Sequence, residues 1–361
     1  MIKSKEKVEF NDIIQKITTG TNLGEKEAYN CMMDMIHGRI NDIQIAAILT
    51  SLATKGETVP EITGFARAMR DSCKTIKTPP GVDVVDSCGT GGDRLKTFNI
   101  STAAAIIAAS AGVPIAKHGN RAVTGPCGGA DILEAVGVKI DLPLQEVELS
   151  LEKVGITFMF APRFHTATRN VMHIRQTLGI RTIFNILGPL TSPAKARIQL
   201  LGVFDPSYVK PLAEVLYRLG VKRAMVVHGF DEKGEPAIDE ISIMGETRAA
   251  ILDDGKIQIK RLYPEDFGLE NGESESIKAA PTVHENLEIF LSVLKGRDDS
   301  KAAKTRLDIT LANAGALIYL GGKAKNLEDA VEMSREYVES GAAMKKLKEF
   351  VKFTRDGPAG I

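Results

Sequence analysis

The chain has 361 residues, 43% of them hydrophobic and 25% charged, an ordinary globular composition with room for two domains or one large domain with an appended bundle. Lys plus Arg and Asp plus Glu balance at 46 each, so there is no basic excess of the kind non-specific nucleic-acid binding uses, and any anionic ligand must be held by local groups. Cys31, Cys73, Cys88 and Cys127 form no C-x-x-C pair and no metal-ligand spacing, as expected of reduced thiols in a cytoplasmic protein. The opening MIKSKEKVEFNDII lacks a signal-peptide apolar core, and no apolar run reaches membrane-spanning length.

Four helices are predicted in residues 1–76. The first runs over Asn11–Ile17, with Ile13, Ile14 and Ile17 on one face. The second spans Ala28–Ile36 and carries Met32, Met33 and Ile36, with Gly38 as its stop. The third spans Asp42–Thr54. The fourth begins near Pro60 and carries Ile62, Phe65, Ala66 and Met69. A small bundle follows, whose Met-rich face reads as core. Its apolar content, notably Met32, Met33, Met35 and Ile36, exceeds what four short helices are expected to bury alone, which predicts a homodimer through this bundle.

KTPPGVDVVDSCG then breaks the helical pattern, and Val82, Val84 and Val85 predict a short buried strand. From there strands and helices alternate. Strands are predicted at Val113–Ala116, Ile156–Phe160, Leu200–Phe204 and Ala224–Val227. Helices are predicted at Ser101–Ala111, Asp131–Val136, Leu144–Val154, Val209–Leu219 and Leu307–Leu320. The alternation implies an α/β domain over 77–361 with a mostly parallel sheet. The stretch HTATRNVMHIRQTLG reads as a helical segment, about 165–182, returning to the first bundle.

Three stretches carry candidate chemistry. DSCGTGGDRLKTFNISTAAA has the order strand, glycine loop, hydroxyls, helix. Glycines let backbone N–H groups approach an anion, and a helix N-terminus adds unpaired donors and a positive dipole end. Asn99, Ser101 and Thr102 are expected to cap a helix from Ala103 and to offer side chains to phosphate oxygens. The alternative is a tight turn with an ordinary N-cap. AKHGNRAVTGPCGGADILEAVGV is a second glycine-rich strand-to-helix loop, in which Lys117, His118 and Arg121 bring positive charge to a strand end; alone it also reads as a solvated surface loop. AIDEIS places Asp239 and Glu240 side by side. Adjacent carboxylates suit Mg2+, a hard cation that prefers oxygen and bridges to phosphates, although two solvated acids would look the same.

GTGGD, NIST, KHGNR, FAPRFHTATRNVMHIRQTLGIRTIFNILGPLTSPA and IDEIS occur in that order. Together they resemble the anthranilate phosphoribosyltransferase family over nearly the whole chain, from the N-terminal helices to LANAGALIYLGGKAKNLEDAVE. The resemblance implies a fold like the pyrimidine nucleoside phosphorylases, a small α bundle joined to an α/β domain. It implies a Mg2+-dependent homodimer that joins anthranilate to 5-phosphoribosyl 1-pyrophosphate, releasing N-(5-phosphoribosyl)anthranilate and pyrophosphate in tryptophan biosynthesis.

By motif, the resemblance assigns phosphoribosyl pyrophosphate to Gly89, Gly92, Asp93, Thr97, Asn99, Ile100, Ser101 and Thr102 in the first loop. In the second it assigns Lys117, His118, Gly119, Asn120, Arg121, Ala122, Val123, Thr124, Gly125 and Gly129. Anthranilate falls to Gly89, Asn120 and Arg175, with His118 and His165 along its approach, and Mg2+ to Ser101, Asp239 and Glu240. No general base is assigned. Pyrophosphate leaves readily once its charge is neutralised, so the implied work is charge stabilisation and alignment.

Two departures stand out. The family commonly has Ser-Ser where this chain has Thr124-Gly125, and serine at Gly129. The loop GFDEKGEPA (229–237) before Asp239 is also longer than usual. Two rival classes remain: a pyrimidine nucleoside phosphorylase, which the GTGGD and NIST pairing and Arg175 oppose, and a non-catalytic nucleic-acid-binding relative, which would carry a basic excess.

Overall fold

The fold was obtained as a computed structural model, which describes residues 10–122, 125–166, 169–298 and 300–357. Four helices open it: α1 (Phe10–Thr18), α2 (Glu25–Ile36), α3 (Asp42–Lys55) and α4 (Val59–Ser72). Their starts follow capping chemistry. The Asn41 side chain accepts from Gln44 N at 3.0 Å, a reciprocal capping box. Glu61 is fully buried and accepts from Thr58 N (2.8 Å), Leu23 N (2.9 Å) and Lys55 Nζ (2.9 Å). That network ties three helix ends together.

The chain continues through β1 (Val85–Gly89), α5 (Ile100–Ser110), β2 (Ile115–Gly119), α6 (Gly129–Ala135), α7 (Leu144–Val154), β3 (Ile156–Phe160) and the single turn α8 (Ala161–Phe164). After α9 (Arg169–Leu178) and the short α10 (Phe184–Leu187) come β4 (Ile198–Gly202), α11 (Val209–Arg218), β5 (Arg223–Phe230), β6 (Pro236–Ile238), β7 (Thr247–Asp253) and β8 (Lys256–Leu262). Helices α12 (Val283–Lys295), α13 (Lys301–Leu320), α14 (Leu327–Glu339) and α15 (Ala342–Asp356) finish the described chain.

Two compact units result. The first is helical and comprises the chain up to Lys74 together with His165–Thr191. Arg70 Nε donates to Leu190 O at 2.6 Å, fastening the returning segment to α4. Met32, Met35 and Ile36 are buried inside this unit. They are therefore not surplus apolar surface, because α2 packs so closely on α4 that a Cβ at Gly64 would lie 2.3 Å from Glu25 O. Among the described residues, the large apolar side chains this unit exposes are Ile43, Met172 and Ile180.

The second unit, Thr75–Phe164 with Ser192–Ile361, is built on an eight-stranded sheet of order β3-β2-β1-β4-β5-β7-β8, with β6 paired to β5. β3, β2, β1, β4 and β5 are parallel; β6, β7 and β8 join antiparallel. Helix α5 is apolar all round and buried at nearly every position, packed against the sheet, α13 and α15. The observed β1, β2 and β4 sit within a few residues of the predicted strands. Val82, predicted to be buried, is exposed. The β7–β8 hairpin, α12, α14 and α15 were not predicted.

Candidate active site

In chain order β1, β2 and β3 run outward in one direction, and the chain then returns to place β4 on the other side of β1. That reversal is a switch point, where open parallel sheets leave a crevice at the strand C-termini. Gly89 ends β1 and Gly202 ends β4, directly paired. Asp239 crosses both ends. A Cβ at Gly202 would lie 1.6 Å from Asp239 O, and one at Gly89 would lie 2.3 Å from Asp239 Oδ2. Only glycines allow this acid to lie against the crevice floor.

From β1 the loop turns through Gly91 and Gly92, both at positive φ (67° and 77°). Gly91 N donates to Asp239 Oδ2 at 2.7 Å. Downstream the loop is fastened twice. Arg94 N and Leu95 N donate to Ala237 O (3.1 and 3.3 Å), and Phe98 N donates to Ile277 O (3.1 Å). Helix α5 starts at Ile100, earlier than expected, so Ser101 and Thr102 lie in its first turn and do not cap it. Asn99 holds the N-cap position but makes no side-chain cap. Its Nδ2 instead donates to Cys127 O at 3.1 Å, linking the two glycine loops, while Oδ1 is buried without a partner. Lys117 Nζ donates to Ser87 O (2.6 Å) and to Ser101 Oγ (3.3 Å), which puts an ammonium at the start of α5.

The acids crowd one another. Burial and the Asp239 charge push Glu240 up to about 8, against the pull of Lys117 and the Ser101 N–H. Asp93 is pushed up to about 7 by burial and by Asp239, and its Oδ2 is buried without a partner. Asp239 is itself raised, chiefly by burial, although Gly91 N–H opposes this. Carboxylates held against their ionised form, with an unused oxygen among them, fit a divalent cation. Among the described residues no group of three His, Cys, Asp or Glu converges to hold a metal alone. The donor set therefore suits Mg2+, which takes few protein ligands and completes its shell with water and substrate phosphate oxygens.

Lys117 and His118 are neighbours on β2 and face opposite sides of the sheet. Lys117 reaches α5, whereas His118 is buried and gives its backbone N–H to Asp86 Oδ1 at 3.0 Å. Asn120 Oδ1 accepts from Arg121 N at 2.8 Å. The Arg121 guanidinium pairs with Glu134 and Asp131 and lies over the Phe160 ring (5.6 Å), so it is engaged away from the loop interior. Asp131 accepts from Ala122 N (2.9 Å) and Gly128 N (2.8 Å), closing the loop on the start of α6. Val123 and Thr124 lie outside the described residues. Gly125 borders open space. A Cβ at Gly129 would lie 3.2 Å from Thr102 Oγ1 and 4.0 Å from Lys117 Cε, so this glycine sits beside two candidate phosphate donors. Burial pushes the Cys88 and Cys127 thiols up to about 12 and about 11, as fits packing residues.

In the helical unit Arg175 is half-buried on α9, its guanidinium stacked over Phe184 (5.0 Å). Burial lowers its pKa. Its Nη1 also lies 3.5 Å from Met172 Sδ. His165 is buried, and burial holds its imidazole down at about 4, neutral at physiological pH. His173 pairs with Asp42 on the surface (2.8 Å).

Sequence reasoning missed several contributors. Asp86 is fully buried in β1, pushed up to about 6 by burial, and braces the second loop through His118 N. Gly202 carried no motif. His228 is buried on β5, its Nδ1 2.7 Å from Val203 O, and burial lowers its pKa. Arg94 and Asp231 form an ion pair beside the acids. Asp231 stands in the turn between β5 and β6, a stretch that reads in the sequence as an exposed loop.

The chain matches the glycosyl transferase family at both levels, the helical bundle domain over residues 11–73 and the a/b domain over residues 81–344. A helical bundle, a parallel sheet and glycine loops at its switch point thus define a glycosyl transferase. The chain is 58% identical over 349 residues to the anthranilate phosphoribosyltransferase of Methanothermobacter thermautotrophicus, covering 97% of this chain and 99% of that one. Its fold is similar to the crystal structure of anthranilate phosphoribosyltransferase from Thermus thermophilus (TM-score 0.86, 38% identity, 95% and 99% of the two chains). It is also similar to the enzyme from Saccharomyces cerevisiae in complex with PRPP and Mg (TM-score 0.84, 25% identity, 97% and 99%). The chain belongs to the anthranilate phosphoribosyltransferase family.

Proposed function

We infer that the chain transfers the phosphoribosyl group of 5-phosphoribosyl 1-pyrophosphate to the amine of anthranilate, releasing pyrophosphate, in tryptophan biosynthesis. The observation that carries this reading is Asp239, held across Gly89 and Gly202 with its carboxylate on Gly91 N–H. It sets an acidic pair against a glycine loop that opens into a helix N-terminus, an arrangement suited to a metal pyrophosphate.

Asp239 and Glu240 would hold Mg2+, with Asp93 close by and Ser101 Oγ as a further oxygen. When bound, Mg2+ supplies charge neutralisation on the leaving pyrophosphate. The N-terminus of α5 adds its positive dipole end to the same oxygens. Lys117, fixed by Ser87 O and Ser101 Oγ, adds a cation on the phosphoribosyl side, and Gly125 and Gly129 contribute backbone where the family more often uses serine. The Arg121 side chain takes no part in this, because its guanidinium is committed to Glu134. The Arg175 fork would read the anthranilate carboxylate, and Asn120 its ring substituents. No residue acts as a strong base. The chain's work is to orient the amine and to stabilise charge as the C1–O bond breaks.

The protein acts as a homodimer in this reading, with the exposed Ile43 face of the helical unit buried at the contact. No described helix is long and apolar enough to cross a membrane. The reaction is tested by incubating the protein with anthranilate, phosphoribosyl pyrophosphate and Mg2+ and identifying products by mass. Equimolar phosphoribosyl-anthranilate and pyrophosphate support the assignment. Phosphorolysis of thymidine or uridine, with no anthranilate product, would replace it by the nucleoside phosphorylase reading.

A further inference from the structure

The hairpin between β5 and β6 has a defined internal structure. Asp231 Oδ1 accepts from Lys233 N and Glu235 N, both at 2.9 Å, and Asp231 N donates to Glu235 O at 3.0 Å. Gly234 takes the positive φ (76°) that the turn requires. Glu232 Oε1 anchors the outside of the turn to Ser274 N at 2.8 Å. The second oxygen of Asp231 is left pointing out of the turn, and it accepts from the Arg94 guanidinium.

Arg94 is bound at two further points. Its Nε donates to Pro236 O at 2.9 Å, and its backbone N–H donates to Ala237 O at 3.1 Å. Its chain neighbour is Asp93, and Ala237 lies two residues before Asp239. The clasp therefore joins, over very short lengths of backbone, the two segments that carry the crowded acids. Its upstream counterpart is the bond from Gly91 N to Asp239 Oδ2. Only Gly92 and Asp93 lie between these two ties.

We propose that Arg94 and Asp231 are positioning residues: their clasp fixes the spacing between Asp93 and the Asp239–Glu240 pair, and so sets the affinity for metal-bound pyrophosphate. The proposal rests on the phosphoribosyltransferase reading above. It gives the long 229–237 hairpin a purpose, as the post to which the pyrophosphate loop is tied. Neither residue touches substrate in this role.

Asp231→Asn is the sharpest perturbation, because the amide keeps an oxygen for Lys233 N and Glu235 N and loses only the charge that faces Arg94. Arg94→Gln removes the same pair from the other side, and Arg94→Lys restores a cation without the Nε bond. The full-length protein is titrated with phosphoribosyl pyrophosphate in a calorimeter at fixed Mg2+, and thermal melting and both Michaelis constants are recorded in parallel. Asp231→Asn and Arg94→Gln should each weaken phosphoribosyl pyrophosphate binding by about three- to ten-fold. The double variant should be no weaker than the weaker single, and Arg94→Lys should recover part of the loss. The Michaelis constant for anthranilate and the melting temperature should stay near wild type. Wild-type binding in both single variants, additive losses in the double, or a loss that tracks a fall in melting temperature overturns the proposal. If the unaltered protein itself fails to bind phosphoribosyl pyrophosphate with Mg2+, the functional reading fails and the clasp falls with it.

Discussion

Glu240→Gln should make the metal-free protein more stable while removing its metal-dependent binding. Glu240 stands beside Asp239 and Asp93 with its carboxyl pushed up to about 8 from an ordinary 4.5, mainly by burial and the Asp239 charge. A carboxyl with a raised folded-state pKa costs nothing while both folded and unfolded forms are protonated. The cost appears as pH rises above the unfolded value, because the unfolded chain releases its proton first. It is complete once pH passes the folded value. At pH 8 this amounts to about 4 kcal/mol as an upper figure. The amide loses the charge but offers the Ser101 N–H a weaker acceptor, which returns about 1–2 kcal/mol. The net gain of about 2 kcal/mol corresponds to a rise in melting temperature of about 3 °C. Differential scanning fluorimetry without Mg2+, from pH 5 to 8, is the assay. The gain should be near zero at pH 5 and grow towards pH 8. Calorimetric binding of phosphoribosyl pyrophosphate with Mg2+ should weaken by more than ten-fold in the same variant. A variant that melts lower at pH 8, or whose gain does not vary with pH, would show that the acids are not in mutual conflict.

Gly89→Ala places a methyl 2.3 Å from Asp239 Oδ2 and must displace the carboxylate from Gly91 N–H; losing that charge-assisted bond, worth about 1.5–3 kcal/mol, should raise the Michaelis constant for phosphoribosyl pyrophosphate about 10- to 150-fold with circular dichroism unchanged. Arg175→Ala should raise the constant for anthranilate by a similar factor and leave the other substrate nearly untouched, whereas Lys117→Ala should do the reverse; a loss confined to phosphoribosyl pyrophosphate in Arg175→Ala would exchange the two ends of the site. Light scattering at micromolar concentration should give the mass of a dimer, and Ile43→Asp should give a monomer that still folds; a monomeric unaltered protein rules the interface out.

Much of the candidate site is readable because its chemistry is local. A glycine loop between a β-strand and an Ala-rich helix needs only a short window, and GTGGD to NIST supplies it. The β7–β8 hairpin was equally local. Asp254 and Gly255 both take positive φ (41° and 87°) between the paired residues Asp253 and Lys256, the conformation an Asp-Gly turn favours. What no window shows is contact between distant segments. Gly202 reads as the plain end of a strand until Asp239 is laid across it. Asp86 reads as a polar residue in a weak strand until His118 N meets it. Asn99 reads as a cap because Asn is a good cap, and only the second loop reveals that Cys127 O takes its amide. Met32 and Met35 of α2 read as surplus apolar surface for the same reason, until Gly64 lets α4 approach closely enough to bury them.

On the reading above, phosphoribosyl transfer to anthranilate takes place at a metal-assisted site at the β1–β4 switch point. Following anthranilate fluorescence in the presence of phosphoribosyl pyrophosphate tests it most directly, with Mg2+ present, then removed by chelation, then restored. The expected result is a steady fluorescence loss that stops on chelation, resumes with Mg2+, and is matched mole for mole by pyrophosphate release. No loss with Mg2+ present, or a loss without pyrophosphate release, would contradict it.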